Sequence, residues 1–406
     1  MTTIETAHLF VEKYSKANQE ILLDFVREDE FIYFKQNADY LDTMHLSYYE
    51  PTMLLIHNCN PSKKIREGSL LTVRMDKLLS LNREQISFEN YINQRQEGLP
   101  AVVFLEIHNG EAFADLIDST ESTISTYVRE EFIHNLSSNW NGPPCALERI
   151  HDHFELRIWD VGQGNTISIS DDCNLALFDF GASIYYSKDK LKSILVNHNQ
   201  LLNKSRRCSL IISHWDIDHY NFLTVIDDEF LENICCIFYP STVVTLTAQL
   251  IVKRLEAHCR YRVSIESAPC AVKRKCGIQS VISGKHYTLF TGEQSQSCNH
   301  SGLLLALYSN TQNALLTADH SNYQIWGKAY NFIDKQKLLH IVVPHHGGDC
   351  GKPTVPSIAH PGKAVISVGS NNYGHPKVAT IRQYRNEKFD LVRTDRRGVD
   401  IVINMN

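Results

Sequence analysis

The sequence predicts an α/β protein, with sheets covered by helices, preceded by a separate α+β domain. Three observations lead there. From Phe154 onward, short apolar runs of strand length alternate with stretches of helical spacing. Several of those runs end directly in His, Asp or Gly, so chemistry-bearing residues gather where strands give way to loops. Residues 1–150 lack this order and mix helical and strand signals.

In the first part, Ala7–Val26 has helical spacing, whereas Thr52–His57 and Ala101–Ile107 are β-branched and aromatic runs expected to be strands. Ser137–Pro144 (SSNWNGPP) has a loop composition, and the domain boundary is placed there or just after it, giving domains 1–150 and 151–406. In the second part, strands are expected at Phe154–Val161, Thr166–Ile169, Leu175–Phe178, Ser209–Ser213, Cys235–Tyr239, Ser280–Ile282, His286–Phe290, Gly302–Tyr308, Ala314–Thr317, His340–Val343, Ala364–Val368 and Leu391–Thr394. Helices are expected near Lys188–Asn203, Asn221–Glu232, Thr245–Cys259, Asn322–Ile333 and Lys377–Arg385. Ser264–Cys298 fits neither pattern and is read as a place for an insertion.

Bulk composition narrows the class. The chain has 406 residues, 43% hydrophobic and 21% charged, enough apolar material for a full core without staples. A net charge of -6 gives no support to a bulk nucleic-acid-binding surface, and Lys273-Arg274-Lys275 and Arg396-Arg397 are the local basic patches. No stretch approaches the ~18 apolar residues that cross a bilayer, so no membrane contact is expected. The N-terminus has no basic segment followed by an apolar run, and the 11 cysteines contain no CxxC pair. They are read as reduced and mostly structural, in a cytoplasmic protein.

The strongest chemical signal follows the apolar run Ser209-Leu210-Ile211-Ile212-Ser213. The chain then reads His214-Trp215-Asp216-Ile217-Asp218-His219. Four ligand-type side chains in six positions after a buried strand are hard to explain as packing, because burying that charge without an ion costs several kcal/mol. Imidazole with carboxylate suits Zn²⁺, Mn²⁺ or iron. Further along, Asp319 and the pair His345-His346 each end an apolar run. A two-metal hydrolase needs a bridging carboxylate and ligands on both sides, and Asp319 is the natural bridge. Gly347-Gly348 would let backbone approach a substrate.

These residues resemble a known superfamily. Metallo-β-lactamase-fold hydrolases carry H-x-[HD]-x-D-H after a core strand, and the variant with Asp at the second ligand position, here Asp216, is similar to the hydrolase domain of ComEC-type competence proteins. The likeness runs in order through Asp160-Val161-Gly162-Gln163-Gly164, Leu177-Phe178-Asp179-Phe180-Gly181, Asn299 with the strand after it, Leu315-Leu316-Thr317-Ala318-Asp319, Val343-Pro344-His345-His346-Gly347, Ser367-Val368-Gly369 through Gly374-His375-Pro376, and Arg393-Thr394-Asp395. Asn165 and Ala318 depart from the pattern, and His258, His286 and His300 are the only candidates by position for a lone ligand histidine that many members use.

The resemblance implies an αββα sandwich, the metallo-β-lactamase fold, with one or two divalent ions, Zn²⁺ or Mn²⁺. It implies that His214 and Asp216 hold one ion and Asp218 and His219 the other, with Asp319 between them and His346 as a further ligand. Asp218 would orient or deprotonate the attacking water. His345 would face the substrate or support a ligand. His375 is a candidate substrate or leaving-group contact, Asn299 and Gly347 are expected at the substrate, and Asp160 and Asp179 are expected to support the site. The implied activity is a metal-dependent phosphodiesterase or nuclease acting on DNA, RNA or a nucleotide, with bacterial defence as a setting and residues 1–150 as a protein-docking module. Hydrolysis of a small ester or cyclic nucleotide is the alternative, as is a non-catalytic scaffold in a larger complex.

Overall fold

A computed structural model describes residues 6–16, 19–27, 52–66, 68–81, 103–107, 110–119, 123–126, 146–186, 188–198, 201, 207–241, 245–259, 261–267, 278–292, 301–351, 355–371 and 374–406. Contacts group the chain into two compact units. The first is Met1–Asn135 with Ser187–Lys190 and Val243–Ala257, and the second is Leu136–Tyr186, Leu191–Thr242 and His258–Asn406. The expected boundary loop Ser137–Pro144 lies outside the described residues.

In the first unit, strands β1 (Thr6–Ser15), β2 (Glu20–Arg27), β3 (Thr52–Ile56), β4 (Ser69–Arg74), β5 (Val103–Ile107) and β6 (Thr123–Thr126) form one sheet in the order β5-β3-β2-β1-β4-β6. All its pairs are antiparallel except β3 with β5. The helix expected over Ala7–Val26 is therefore a β1–β2 pair. The reason is two-sided burial. Ala7, Leu9, Val11, Ile21, Leu23 and Phe25 pack in the core on one face, while Phe10, Leu22 and Val26 on the other face are buried as well. A strand apolar on both faces loses its period of two, and a run of mixed spacing passes for a helix. The same other face holds the fully buried Asp24, which accepts the Thr247 amide (2.9 Å) and hydroxyl (3.1 Å) in the first turn of the helix Leu246–His258.

The second unit contains two seven-stranded sheets. Strands β7 (Phe154–Ile158), β8 (Thr166–Ser170), β9 (Asn174–Phe180), β10 (Arg207–Ile211), β11 (Ile234–Pro240) and β12 (Tyr261–Ile265) lie in the first. Strands β13 (Gln279–Ser283), β14 (Tyr287–Thr291), β15 (Leu303–Tyr308), β16 (Gln312–Leu316), β17 (Leu338–Val342), β18 (Pro361–Ile366) and β19 (Asp390–Arg393) form the second. The last strand, β20 (Ile401–Met405), returns to the first sheet beside β7, giving the orders β12-β11-β10-β9-β8-β7-β20 and β13-β14-β15-β16-β17-β18-β19. Both sheets are mixed: β9 to β12 and β16 to β19 run parallel, and the remaining pairs run antiparallel.

The parallel halves need cover on both faces, and the sequence supplies it. All seven residues of β9 are buried. Between the sheets, Leu156, Ile158, Ile167, Phe178, Ile211 and Phe238 meet Leu289, Leu303, Leu305, Leu316, Val342 and Val365 in a single core. Each such fully buried side chain contributes ~1.5–3 kcal/mol. On the outer face of the second sheet, Leu304, Leu315, Ile341 and Ile366 pack with Ile325 and Trp326 of the helix Asn322–Gly327 and Tyr384 of the helix Val378–Asn386. Beside the first sheet, Phe180 stacks on Phe222 and Phe230. The strands β12 and β20 were not expected from sequence. The strands expected at Ser280–Ile282 and His286–Phe290, within the stretch read as a place for an insertion, form the hairpin β13–β14 at the edge of the second sheet.

Candidate metal centre

Parallel strands all deliver their C-terminal ends to one side, and the candidate residues collect there. The loop after β10 carries His214, Asp216, Asp218 and His219; the loop after β16 carries Asp319; the turn after β17 carries His345 and His346. His214, Asp216, His219, Asp319 and His346 are all buried. Ligand-type atoms of His214, His219 and Asp319 lie within 4.8 Å of one another, as do those of Asp218, His219 and His346. His219 stands in both groups, whereas the sequence had divided the residues into His214 with Asp216 and Asp218 with His219.

Distances fill in the geometry. His214 Nε2 lies 3.4 Å from Asp216 Oδ2 and 3.8 Å from Asp319 Oδ2. His346 Nε2 lies 3.2 Å from Asp218 Oδ2, and His219 Nε2 lies 3.9 Å from Asp218 Oδ1. Asp216 borders the first group without being counted in it. The sites fit a divalent ion on their own chemistry. The donors are imidazole nitrogens and carboxylate oxygens, and the buried atoms His214 Nε2, His346 Nε2 and Asp319 Oδ1 make no hydrogen bond within the protein. Such atoms are costly to bury unless a ligand answers them.

The imidazoles are oriented from behind. Asp179, at the end of β9, accepts the Ser213 amide (2.6 Å) and hydroxyl (2.8 Å), accepts Asn165 Nδ2 (2.7 Å), and faces His219 Nδ1 at 2.8 Å. It holds a left-handed φ of 60° to do so. With Nδ1 occupied, His219 presents Nε2 to the centre. His346 Nδ1 is likewise fixed on the Ser367 carbonyl at 2.7 Å. An amide suits position 165, because a carboxylate there would face Asp179 across the same contact.

Electrostatics are strong. Burial opposes a charge on His214, but Asp216, Asp319 and Asp179 outweigh it and push the imidazole up to about 9. Burial also works against the Asp319 carboxylate, yet His345, His214 and His219 hold it well below its ordinary value. Asp218 is lowered in the same way, with burial opposed by His219 and His346.

The turn after β17 separates two adjacent histidines. His345, His346 and Gly347 have φ of 51°, 50° and 78°. A left-handed conformation costs a non-glycine residue ~1–2 kcal/mol, so this turn is held by its surroundings. Gly348 N–H donates to His345 O (2.6 Å) and Lys377 N–H to Gly347 O (2.9 Å). The result aims His346 at Asp218 and His219. His345 belongs to neither group of ligand atoms and hydrogen-bonds Asp319 through Nδ1. Gly347 is buried, and a side chain there would meet Pro376 Cβ at 2.5 Å, so the turn has no room for one.

The His375 ring lies 4.9 Å from that of His345, tilted by 57°. A Cβ on Gly348 would sit 2.6 Å from His375 Cε1, so the glycine makes room for the imidazole pair. Asn371 clamps the His375 backbone on both sides, accepting its amide (3.0 Å) and donating to its carbonyl (3.1 Å). Asn371 lay inside the motif that singled out His375, and an Asn four residues before an ordered His was the available signal. Ser213 and Ser367 were missed as site supports, although Ser213 ends the run before His214 and Ser367 opens a motif already singled out. Asp160 belongs to neither group of ligand atoms; its amide donates to Asp400 Oδ1 at 3.0 Å and its carboxyl is raised by burial and by Asp400. His286 faces Asp152 (2.9 Å) and His258 faces Asp228 (3.6 Å), so neither reaches the centre, while Asn299 and His300 lie outside the described residues.

No protein-family description matches the chain, and no curated protein matches its sequence. Among solved structures, Tm1679, a metal-dependent hydrolase of the β-lactamase superfamily, is similar at 11% identity, covering 61% of this chain and 98% of its own, with a TM-score of 0.38. The short form of human tRNase Z is similar at 12% identity over 62% of this chain and 99% of its own, with a TM-score of 0.36. A variant of the CmlA β-hydroxylase is similar at 10% identity over 98% of this chain and 75% of its own, with a TM-score of 0.39. The chain has an α/β architecture of two mixed seven-stranded sheets, with an extra small, largely antiparallel sheet at its N-terminal end.

Proposed function

We propose that this chain is a metal-dependent hydrolase and that its substrate is a phosphodiester, in DNA, RNA or a nucleotide. One observation carries the hydrolase reading. Two groups of largely buried His and Asp ligand atoms share His219 and converge where parallel strands of both sheets end. Ions bound there supply Lewis acidity that makes water nucleophilic near neutral pH.

The chain's own residues divide the remaining work. Asp218 is the more open of the carboxylates, with 19% of its side chain exposed against 3% for Asp319, and it can orient the incoming water or take its proton. His345, bonded to Asp319 and beside His375, can with it stabilise charge on the departing oxygen. The phosphodiester reading is supported by the ordered motifs resembling ComEC-type domains and by Asp216 in place of histidine, which also keeps Mn²⁺ beside Zn²⁺.

A cytoplasmic setting fits the cysteines. Burial pushes the thiols of Cys59 and Cys259 up to about 12, and no disulfide forms among the described residues. No helix among them is long and apolar enough to cross a membrane. The first unit, with its own core, is proposed to dock a protein partner, with defence against foreign nucleic acid as the setting.

The test is metal analysis followed by a substrate panel. Protein loaded with Mn²⁺ or Zn²⁺ should cleave bis-p-nitrophenyl phosphate and nucleic acid, and Asp218→Ala should abolish both. Cleavage of carboxylic esters alone would sink the phosphodiester reading. Less than one ion per chain would leave only a scaffold.

A further inference from the structure

A second basic feature lies outside the metal centre. A cavity of about 180 Å³ runs along β19, the edge strand of the second sheet. Ile381, Leu391 and Val392 form its apolar lining and Arg385, Arg393 and Arg396 its charged one. The carboxylates near it are largely spoken for. Asp395 receives Arg393 Nε at 2.9 Å, and Asp390 pairs with Lys363 at 3.0 Å. Arg385 and Arg396 are exposed and make no ion pair among the described residues. Two guanidiniums are therefore left facing one recess.

Its place relative to the metal centre follows from the register. Val342, Val365 and Val392 form one row across the parallel strands β17, β18 and β19. His346 lies four residues beyond that row after β17, and Arg396 lies four residues beyond it after β19. Both positions thus follow the C-terminal ends of their strands at the same edge of the sheet, and the strands themselves lie two spacings apart, roughly 10 Å. That edge is anchored: Thr394 Oγ1 donates to Val368 O (2.8 Å) and accepts Val368 N–H (2.9 Å), tying the end of β19 to the end of β18.

We propose that this arginine-lined cavity binds the backbone of a single nucleic-acid strand beside the linkage held at the metal centre. This rests on the phosphodiesterase reading and narrows it to a polymer. A guanidinium suits the role because it stays charged and presents a planar fork to phosphate oxygens. A contact two strands away from β17 falls on the backbone beyond the phosphates next to the reacting linkage, which a polymer reaches and a small ester does not.

The experiment compares wild type with the Arg385→Gln/Arg396→Gln double variant, both with unchanged thermal unfolding. Binding of a fluorescent single-stranded oligonucleotide is measured in EDTA over a salt series. Hydrolysis of the oligonucleotide and of bis-p-nitrophenyl phosphate is measured with Mn²⁺. The variant should bind the oligonucleotide about tenfold more weakly, and its log–log salt slope should fall by ~1.4, as expected for two lost contacts at ~0.7 each. KM for the oligonucleotide should rise while turnover of bis-p-nitrophenyl phosphate stays the same. Arg385→Lys/Arg396→Lys should recover most of the salt slope.

Equal oligonucleotide binding and salt slope in wild type and variant would overturn the proposal. So would competition by inorganic phosphate as strong as that by the oligonucleotide, which would make the cavity a lone-anion site. Binding in EDTA keeps the two readings apart. Arginine-dependent binding without cleavage of any substrate would remove the phosphodiesterase and keep the cavity. Cleavage of bis-p-nitrophenyl phosphate with binding unaffected by the substitutions would do the reverse.

Discussion

Replacing Asp179 by asparagine preserves shape and tests how the centre is held. The carboxylate meets donors on both oxygens: Ser213 N–H on Oδ1, and Ser213 Oγ, Asn165 Nδ2 and His219 Nδ1 on Oδ2. An amide must turn an NH₂ group toward one of these sets. With its oxygen left on the three-donor side, the NH₂ meets the Ser213 amide across 2.6 Å. A buried donor without an acceptor costs ~1–3 kcal/mol, and losing the charge opposite His219 costs ~1–2 kcal/mol more. The sum, about 2–5 kcal/mol, corresponds at ~2–4 °C per kcal/mol to a fall of roughly 4–20 °C in Tm. His219 also loses the partner that fixes its tautomer, so metal affinity should drop ~10–100-fold. Calorimetry in EDTA reads the first effect and titration against a competing chelator reads the second. A Tm within about 1 °C of wild type together with unchanged affinity would refute the role given to Asp179.

Three further outcomes are expected. Asp319→Ala should lower the metal content by at least one ion per chain, read by elemental analysis, because it removes a carboxylate from the first ligand group and the partner of His345. The His214 imidazole, raised from 6.5 to about 9, gives the metal-free protein a stabilisation complete below pH 6.5 and lost as pH climbs through 9; its proton competes with the metal, so affinity should rise over the same window, and an affinity constant from pH 6.5 to 9 would count against it. Gly181→Ala would place a Cβ 2.5 Å from the Asp218 carbonyl carbon and should destabilise by ~1–3 kcal/mol, seen as a lower Tm and weaker metal binding.

Much of the centre was legible because its chemistry is local. His214 to His219 occupy six consecutive positions after an apolar run, and Asp319 and His345-His346 end runs of the same kind. Strand length, apolar content and ligand-type residues at strand ends are properties of neighbouring residues, so they survive in a linear string. The alternation of strands and helices after Phe154 similarly announced covered sheets.

Other features depended on which segments meet. The β1–β2 pair was invisible because burial on both faces erased its alternation. β20 shows the alternating burial of a strand, but only its pairing with β7 makes it part of the first sheet. Nothing in the sequence joins Asp179 to His219, 40 residues later; the parallel pairing of β9 with β10 does. The choice between His345 and His346 was made by a left-handed turn that sends one imidazole to Asp218 and the other to Asp319. Spacing along the chain thus determined which residues could serve a metal centre. Sheet order and backbone handedness decided which of them face one another, because those contacts join strands that are distant in sequence.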